Sequence, residues 1–319
     1  MPTEPFMTAL EEIDGVIAGP MRYPRQMLAV QEYGGHASIH DDATAQKLGF
    51  QGGTIEGPTH FSQFGPLGYG VWGNAWFSHG CLSVHYRAPA FEGDGVRAFL
   101  RRPPSSGECA EVWMERIDGT EILRGTASIG PDFPKSALAA RLQTLSPLSE
   151  PVILADVLLG TNSSRQPARM DANQHMGEMY PFTLSEKLER MTESSPWYSD
   201  SATPWARPII PLEMVSVLMQ HGIAEAAFGE RGPAVGLFAD QEIRLAAGPV
   251  YVGEDYEVER EIVALSGSRR TESMWVRSTL FQPGRSTVVA TMLLNMATLK
   301  DSYENYDADY FALYARSAS

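Results

Sequence analysis

The chain has 319 residues, 43% hydrophobic and 20% charged, a balance that excludes disorder and fibrous architectures and provides about two domains' worth of core-forming sequence. Its formal net charge of -14 gives no electrostatic reason to bind nucleic acid or an anionic membrane, which require clustered Lys and Arg, so a small-molecule substrate is expected. Cys81 and Cys109 are the only cysteines and stand in no CxxC or His/Cys ligand spacing, so the expectation is a reducing cytoplasm, with no disulfide framework, no metal and no cofactor.

Residues Met1 to Leu10 lack a basic start and a long apolar run, and no stretch approaches the roughly 18 apolar residues of a membrane span, so a soluble, untargeted chain is expected. The first chemically suggestive stretch is Tyr33-Gly34-Gly35-His36-Ala37-Ser38-Ile39-His40-Asp41-Asp42, followed by Gly49-Phe50 and Ile55-Glu56-Gly57-Pro58-Thr59. It sets histidines, two carboxylates and a glycine turn ahead of an apolar segment. Asp41 and Asp42 precede Ala43 to Leu48, and either can cap that short helix. The apolar segment starting near Pro58-Thr59-His60-Phe61 reads as a helix that Gly65-Pro66 and Gly68 interrupt early, so it is short or kinked. Tyr69 and Trp72, among glycines in that break, are candidate walls of a broad substrate pocket, or else part of a loop packed on a partner.

Next comes an internal repeat. Val84 to Asp94 has its counterpart in Arg244 to Glu254: Pro89 and Pro249, and again Gly93 and Gly253, are each 160 positions apart. Each half then continues with strand-like alternation, Ala110 to Glu115 in one and Ser273 to Ser278 in the other. Turns at Asp118-Gly119 and Pro283-Gly284 lead to final strands at Ile122 to Ile129 and Ser286 to Met296. Between the halves, Ser146 to Tyr180 reads as a linker lying on the surface of the core. Glu186-Lys187-Leu188-Glu189-Arg190 reads as a helix surface, and Ser194 to Asp200 as the counterpart of the Tyr33 to Asp42 loop, without a histidine. Trp197, Tyr198 and Trp205 are either the aromatic side of a substrate tunnel or ordinary core. Pro211 to Gly222 reads as a buried helix, with Pro in the first turn and Gly at the exit. The tail from Asp301, with Tyr303, Tyr306, Tyr310, Phe311 and Tyr314, is too aromatic for a disordered end and is expected to pack on the body or on a second subunit.

The Ile39-His40 pair, Asp42 and the helix-opening Gly57 resemble the loop and helix start of MaoC-like hydratases and dehydratases, where an aspartate also stands five residues before the histidine. Here that position is Gly35. The resemblance implies an α+β double hot-dog fold, two antiparallel sheets each wrapped around a central helix, with an N-terminal domain over 1–145, a linker over 146–180 and a C-terminal domain over 181–319. It implies a lyase adding water to, or eliminating it from, an enoyl or 3-hydroxyacyl substrate, a CoA or carrier thioester. Histidine suits proton transfer near neutral pH, and an amide at a helix start suits the developing enolate oxygen. His40 is thus the expected acid/base and Gly57 the oxyanion donor. Glu56 or His36 is a candidate replacement for the lost carboxylate, and Asp42 is a further catalytic candidate. Tyr33, His36, Thr59, His60, Tyr69, Trp72, Trp197 and Tyr198 are the substrate-binding candidates, each also readable as packing. The active site is expected in the N-terminal half alone. Thioester hydrolysis through Glu56, Asp41 or Asp42, another elimination or cyclisation, and noncatalytic binding are the alternatives. Since one chain already pairs two halves, a monomer is feasible, and a homodimer is also expected as an assembly.

Overall fold

A computed structural model describes residues 3–33, 36–105, 107–226 and 228–314, and the side chains at 32–33, 36–37 and 224–225 lie outside the described set. The strands in chain order are β1 (Glu11–Ile13), β2 (Val16–Ala18), β3 (Glu32–Tyr33), β4 (His36–Ala37), β5 (Gly80–Tyr86), β6 (Val96–Arg101), β7 (Ala110–Arg116), β8 (Glu121–Ile129), β9 (Gln166–Arg169), β10 (Gly236–Leu245), β11 (Asp255–Gly267), β12 (Thr271–Phe281) and β13 (Val288–Leu299). The helices are α1 (Asp42–Lys47), α2 (Phe64–Trp72), α3 (Ala75–His79), α4 (Ala137–Leu142), α5 (Leu184–Leu188), α6 (Leu212–Gln220) and α7 (Tyr306–Tyr314), with a 3-10 segment at Gly57–Gln63 running into α2.

Alternation of apolar and polar residues produces the strands the repeat predicted. In β6, Val96, Ala98 and Leu100 turn inward while Arg97, Phe99 and Arg101 turn out, and β7 and β12 follow at the expected places. The two halves do not form two sheets, however. Eleven strands make one sheet in the order β1-β2-β6-β7-β8-β5-β10-β13-β12-β11-β9, with β3 and β4 as a separate pair. The halves join where β5 pairs antiparallel with β10, from Cys81↔Arg244 to His85↔Asp240. The reason is that β5 and β10 are the same strand of the repeat. Each would otherwise leave an open edge, and pairing them satisfies both. On the outer face the seam is stitched by fully buried Asp240, which accepts from His85 Nδ1 at 2.8 Å and Asn295 Nδ2 at 2.8 Å and meets Arg141 Nε at 3.0 Å.

Helix α6 begins after Pro211 and ends before Gly222 as predicted, and every residue from Glu213 to Gln220 is buried. The first-half counterpart breaks differently from the expectation. Gly57–Gln63 is a 3-10 turn run, and α2 starts at Phe64, so Gly65, Pro66 and Gly68 lie inside its first turns. Proline is tolerated there because the first amides of a helix have no partner to lose. The glycines do not open a pocket, because Phe6 packs over Gly65 and the Trp76 indole lies where a Gly68 side chain would stand.

The segment read as a surface linker contributes to the interior. Its Val152, Ile153, Leu154 and Val157 pack on Ile262, Met274 and Val276, β9 extends the sheet beside β11, and Met170 and Met176 enter the main core. The aromatic tail packs on the body: the hydroxyls of Tyr306, Tyr310 and Tyr314 donate to Glu272, Glu150 and the Pro151 carbonyl. No helix among the described residues is long and apolar enough to cross a membrane.

Candidate active site

A cavity of about 290 Å³ opens between the start of the 3-10 segment and the start of α6. Its apolar lining includes Leu28, Ile55, Ala90, Phe182, Met214 and Val217. Its polar lining includes His40, Glu56, Thr59 and His60 from the first half and Lys187 and Glu213 from the second.

His40 sits just before α1. Its Nδ1 lies 2.7 Å from the Thr54 carbonyl oxygen, which can only accept, so Nδ1 carries the proton and Nε2 is left as the basic nitrogen. Burial is the largest influence on this imidazole and pulls its pKa below the usual histidine value; Glu56 and the Thr54 carbonyl push back, and Lys187 adds to the depression. A neutral histidine with its lone pair on Nε2 is the form a general base requires.

Glu56, 6% exposed, accepts from the Met27 amide at 2.7 Å and from the Thr59 hydroxyl at 3.3 Å. Burial alone would raise its pKa, but Lys187, His40 and the Met27 amide together outweigh it and hold the carboxylate below its ordinary range. Lys187, 4% exposed, donates from Nζ to Thr59 Oγ1 at 2.7 Å, with its ammonium 5.6 Å from the Phe182 ring centre. A capping box at Thr183 and Glu186 starts α5 and turns Lys187 inward, so the segment read as a helix surface supplies the cavity's buried cation. His60, 2% exposed, has its pKa lowered to about 4, chiefly by burial, and its Nδ1 has no partner among the described residues.

Glu213 is 1% exposed, and neither carboxyl oxygen has a hydrogen-bond partner among the described residues. The nearby Ser62 hydroxyl donates instead to the Thr59 carbonyl at 2.9 Å. Burial, aided by the Glu56 charge and opposed by Lys187 and Ser62, raises the Glu213 pKa to about 7.

The remaining predicted residues separate clearly. Gly57 lines the cavity, its amide makes no hydrogen bond among the described residues, and its α-carbon lies so close to Tyr86 that a β-carbon would come within 2.6 Å of the ring. Asp41, not Asp42, caps α1, accepting from the Thr44 amide at 2.8 Å, because the cap position needs extended backbone and Asp42 is already helical. Asp42 accepts from the Gly53 amide at 2.7 Å, pinning the loop, and neither aspartate lines the cavity. Tyr69, Trp72, Trp197 and Tyr198 do not line it either. Tyr69 and Trp197 pack edge to face at 5.9 Å, Trp197 meets Trp205 at 5.5 Å, Trp72 stacks on Trp76, and Tyr198 is buried core. The side chains of Tyr33 and His36, and Gly35 itself, lie outside the described residues. Lys187 and Glu213 carried no sequence signal beyond a charged residue on an otherwise apolar helix, at Glu213 of Leu212-Glu213-Met214-Val215.

No protein-family model matches the chain, and no curated protein matches it in sequence. Solved structures do match. A protein of Chloroflexus aurantiacus classed as a MaoC domain dehydratase aligns over 93% of this chain and 96% of its own, with TM-score 0.55 and 15% identity. A conserved Mycobacterium tuberculosis protein described as having a double hot-dog fold aligns over 81% and 86%, with TM-score 0.51 and 9% identity. The chain has the double hot-dog fold. In this double hot-dog chain the two halves meet along β5 and β10, which brings the start of the 3-10 segment and the start of α6 to one cavity.

Proposed function

We propose that the chain is a MaoC-like hydratase/dehydratase, adding water to an enoyl thioester or eliminating it from the 3-hydroxyacyl form. The observation that carries this reading is His40: a neutral imidazole, its tautomer set by the Thr54 carbonyl, lining a largely apolar cavity beside a helix-opening glycine whose amide makes no hydrogen bond among the described residues. In hydration, Nε2 takes a proton from water as the oxygen adds to the β-carbon. The charge passing to the thioester oxygen is met by the Gly57 amide, and a proton is delivered to the α-carbon. The apolar walls formed by Leu28, Ile55, Met214 and Val217 suit an acyl chain, and Glu56 with Thr59 and Lys187 forms a hydrogen-bonded floor. Thioester hydrolysis loses two of its three candidate water activators, since Asp41 and Asp42 lie outside the cavity.

The test is mass-spectrometric product analysis with enoyl-CoA and 3-hydroxyacyl-CoA panels, comparing wild type with His40→Ala. Gain or loss of water by wild type, reduced about 10²- to 10⁴-fold in the variant, is the expected outcome. Release of free CoA, or no turnover of any thioester, would overturn the reading.

A further inference from the structure

Among the polar groups lining the cavity, Glu213 stands out as a buried carboxyl with no hydrogen-bond donor on either oxygen among the described residues. It occupies the second position of α6, on the helix whose residues Met214 to Gln220 are all buried. Neither of its oxygens has a hydrogen-bond partner among the described residues, whereas the buried Glu56 in the same cavity has the Met27 amide and the Thr59 hydroxyl as donors. A buried carboxyl without donors destabilises the fold, and an apolar residue of the same size would fill the position at no such cost. Orphaned polar groups of this kind are where a ligand supplies the missing partner.

We infer that Glu213, contributed by the second half, is the second proton-transfer group of the reaction, working with His40 from the first half as a composite pair. This rests on the proposed hydration chemistry and assigns to the far half of the molecule the role left open where Gly35 replaces the expected aspartate. During hydration the water O–H bond breaks and its proton goes to His40 Nε2. The oxygen bonds to the β-carbon, and the electron pair of the double bond moves through the enolate. The Glu213 carboxyl proton then bonds to the α-carbon. This leaves imidazolium and carboxylate, and the next water carries the proton from one to the other, restoring both without any further reactant. Dehydration is the reverse: the Glu213 carboxylate removes the α-proton, and imidazolium protonates the departing hydroxyl. Charge placement fits the division of labour. The Lys187 ammonium, bonded to Thr59, offsets the charge of the nearby Glu56 carboxylate, so a neutral carboxyl and a neutral imidazole are the resting forms that add no unbalanced charge.

The test compares wild type, Glu213→Gln and Glu213→Asp on a trans-2-enoyl-CoA that wild type hydrates, following kcat, KM and their pH dependence, with circular dichroism as the control for folding. The expected result is a fall in kcat of about 10²-fold or more for Glu213→Gln with KM changed less than about threefold, and loss of the pH limb near neutrality. Glu213→Asp keeps that limb at reduced kcat. Infrared difference spectra of the wild type should show a protonated-carboxyl band that titrates near neutral pH and is absent in Glu213→Gln. A folded Glu213→Gln with wild-type kcat and an unchanged pH profile overturns the assignment alone. A wild type that hydrates no enoyl thioester overturns the hydratase reading and this assignment together.

Discussion

The two halves of the molecule start their central helices with opposite chemistry. In the first half the start is Glu56-Gly57-Pro58, a 3-10 turn pressed against Tyr86 with a glycine amide that makes no hydrogen bond among the described residues. In the second it is Pro211-Leu212-Glu213, a regular α-helix that brings a carboxyl into the cavity. The flanking backbone is equivalent: the Ile55 amide bonds the Ala90 carbonyl, and the Ile210 amide bonds the Val250 carbonyl, both at 2.8 Å. One framework has thus been given two different contents. In the proposed reaction the first half presents base and oxyanion donor, the second a cation and a buried acid, and neither half holds the whole set. The difference teaches that a duplicated fold can line one cavity with different chemistry from its two copies, since each copy's helix start faces the same space.

Lys187 tests this division most severely. Replacing it by Met leaves the Glu56 carboxylate buried without its cation, so Lys187→Met should cost about 3–5 kcal/mol of stability, read by chemical denaturation. Combining it with Glu56→Gln should recover most of that loss. Failure of the double variant to recover would break the view that the second half balances the first half's charge.

The next effect is a pH dependence of opposite sign for the two buried groups. Glu213 has its pKa raised from 4.5 to about 7, so its contribution is fully present below pH 4.5 and is lost as pH rises through 7. His60 has its pKa lowered from 6.5 to about 4, so its contribution is present above pH 6.5 and is lost as pH falls toward 4. The stability of Glu213→Gln relative to wild type should therefore rise between pH 4.5 and 7, by up to about 3 kcal/mol, and that of His60→Gln should rise as pH falls from 6.5 to 4. Denaturation midpoints across this range decide it; parallel curves for wild type and both variants would contradict the assigned environments.

A smaller contrast lies at the first helical position, Gly57 in one half and Leu212 in the other. Gly57→Ala forces a β-carbon against the Tyr86 ring and should destabilise by about 1–3 kcal/mol, whereas Leu212→Ala should leave the oxyanion geometry and kcat intact. The smallest effect is at Asp41. Loss of its cap in Asp41→Ala should cost about 1 kcal/mol without changing kcat, and a large kcat effect would return the loop aspartates to the chemistry.

Much of this was legible locally. The 160-residue register, the alternation in β6, β7 and β12 and the bounds of α6 all follow from in/out periodicity and from turn residues that act over a few positions. His40 stood out because it follows Ile39 and precedes a helix cap within one short stretch. Lys187 did not, since a lysine between Glu186 and Leu188 has the same local pattern whether its face meets water or a cavity. The aromatic candidates failed for a related reason. Tyr69, Trp72 and Trp197 have the composition of a pocket wall, but only their mutual packing, with Phe6 and Trp76 filling the space above the glycines, shows that they form solid core.

By itself the amino-acid order determined the repeated strand unit, the helix that follows Pro211 and the placement of a histidine beside a glycine-opened helix, because each depends on neighbours within a turn or a strand. Tertiary structure alone decided that two expected sheets are one, that Val152 to Leu154, Val157, Met170 and Met176 of the 146–180 segment enter the interior, and that Lys187 and Glu213 share a cavity with His40. Those outcomes depend on which strand edges meet and which buried charges find partners, and both are settled between residues more than a hundred positions apart.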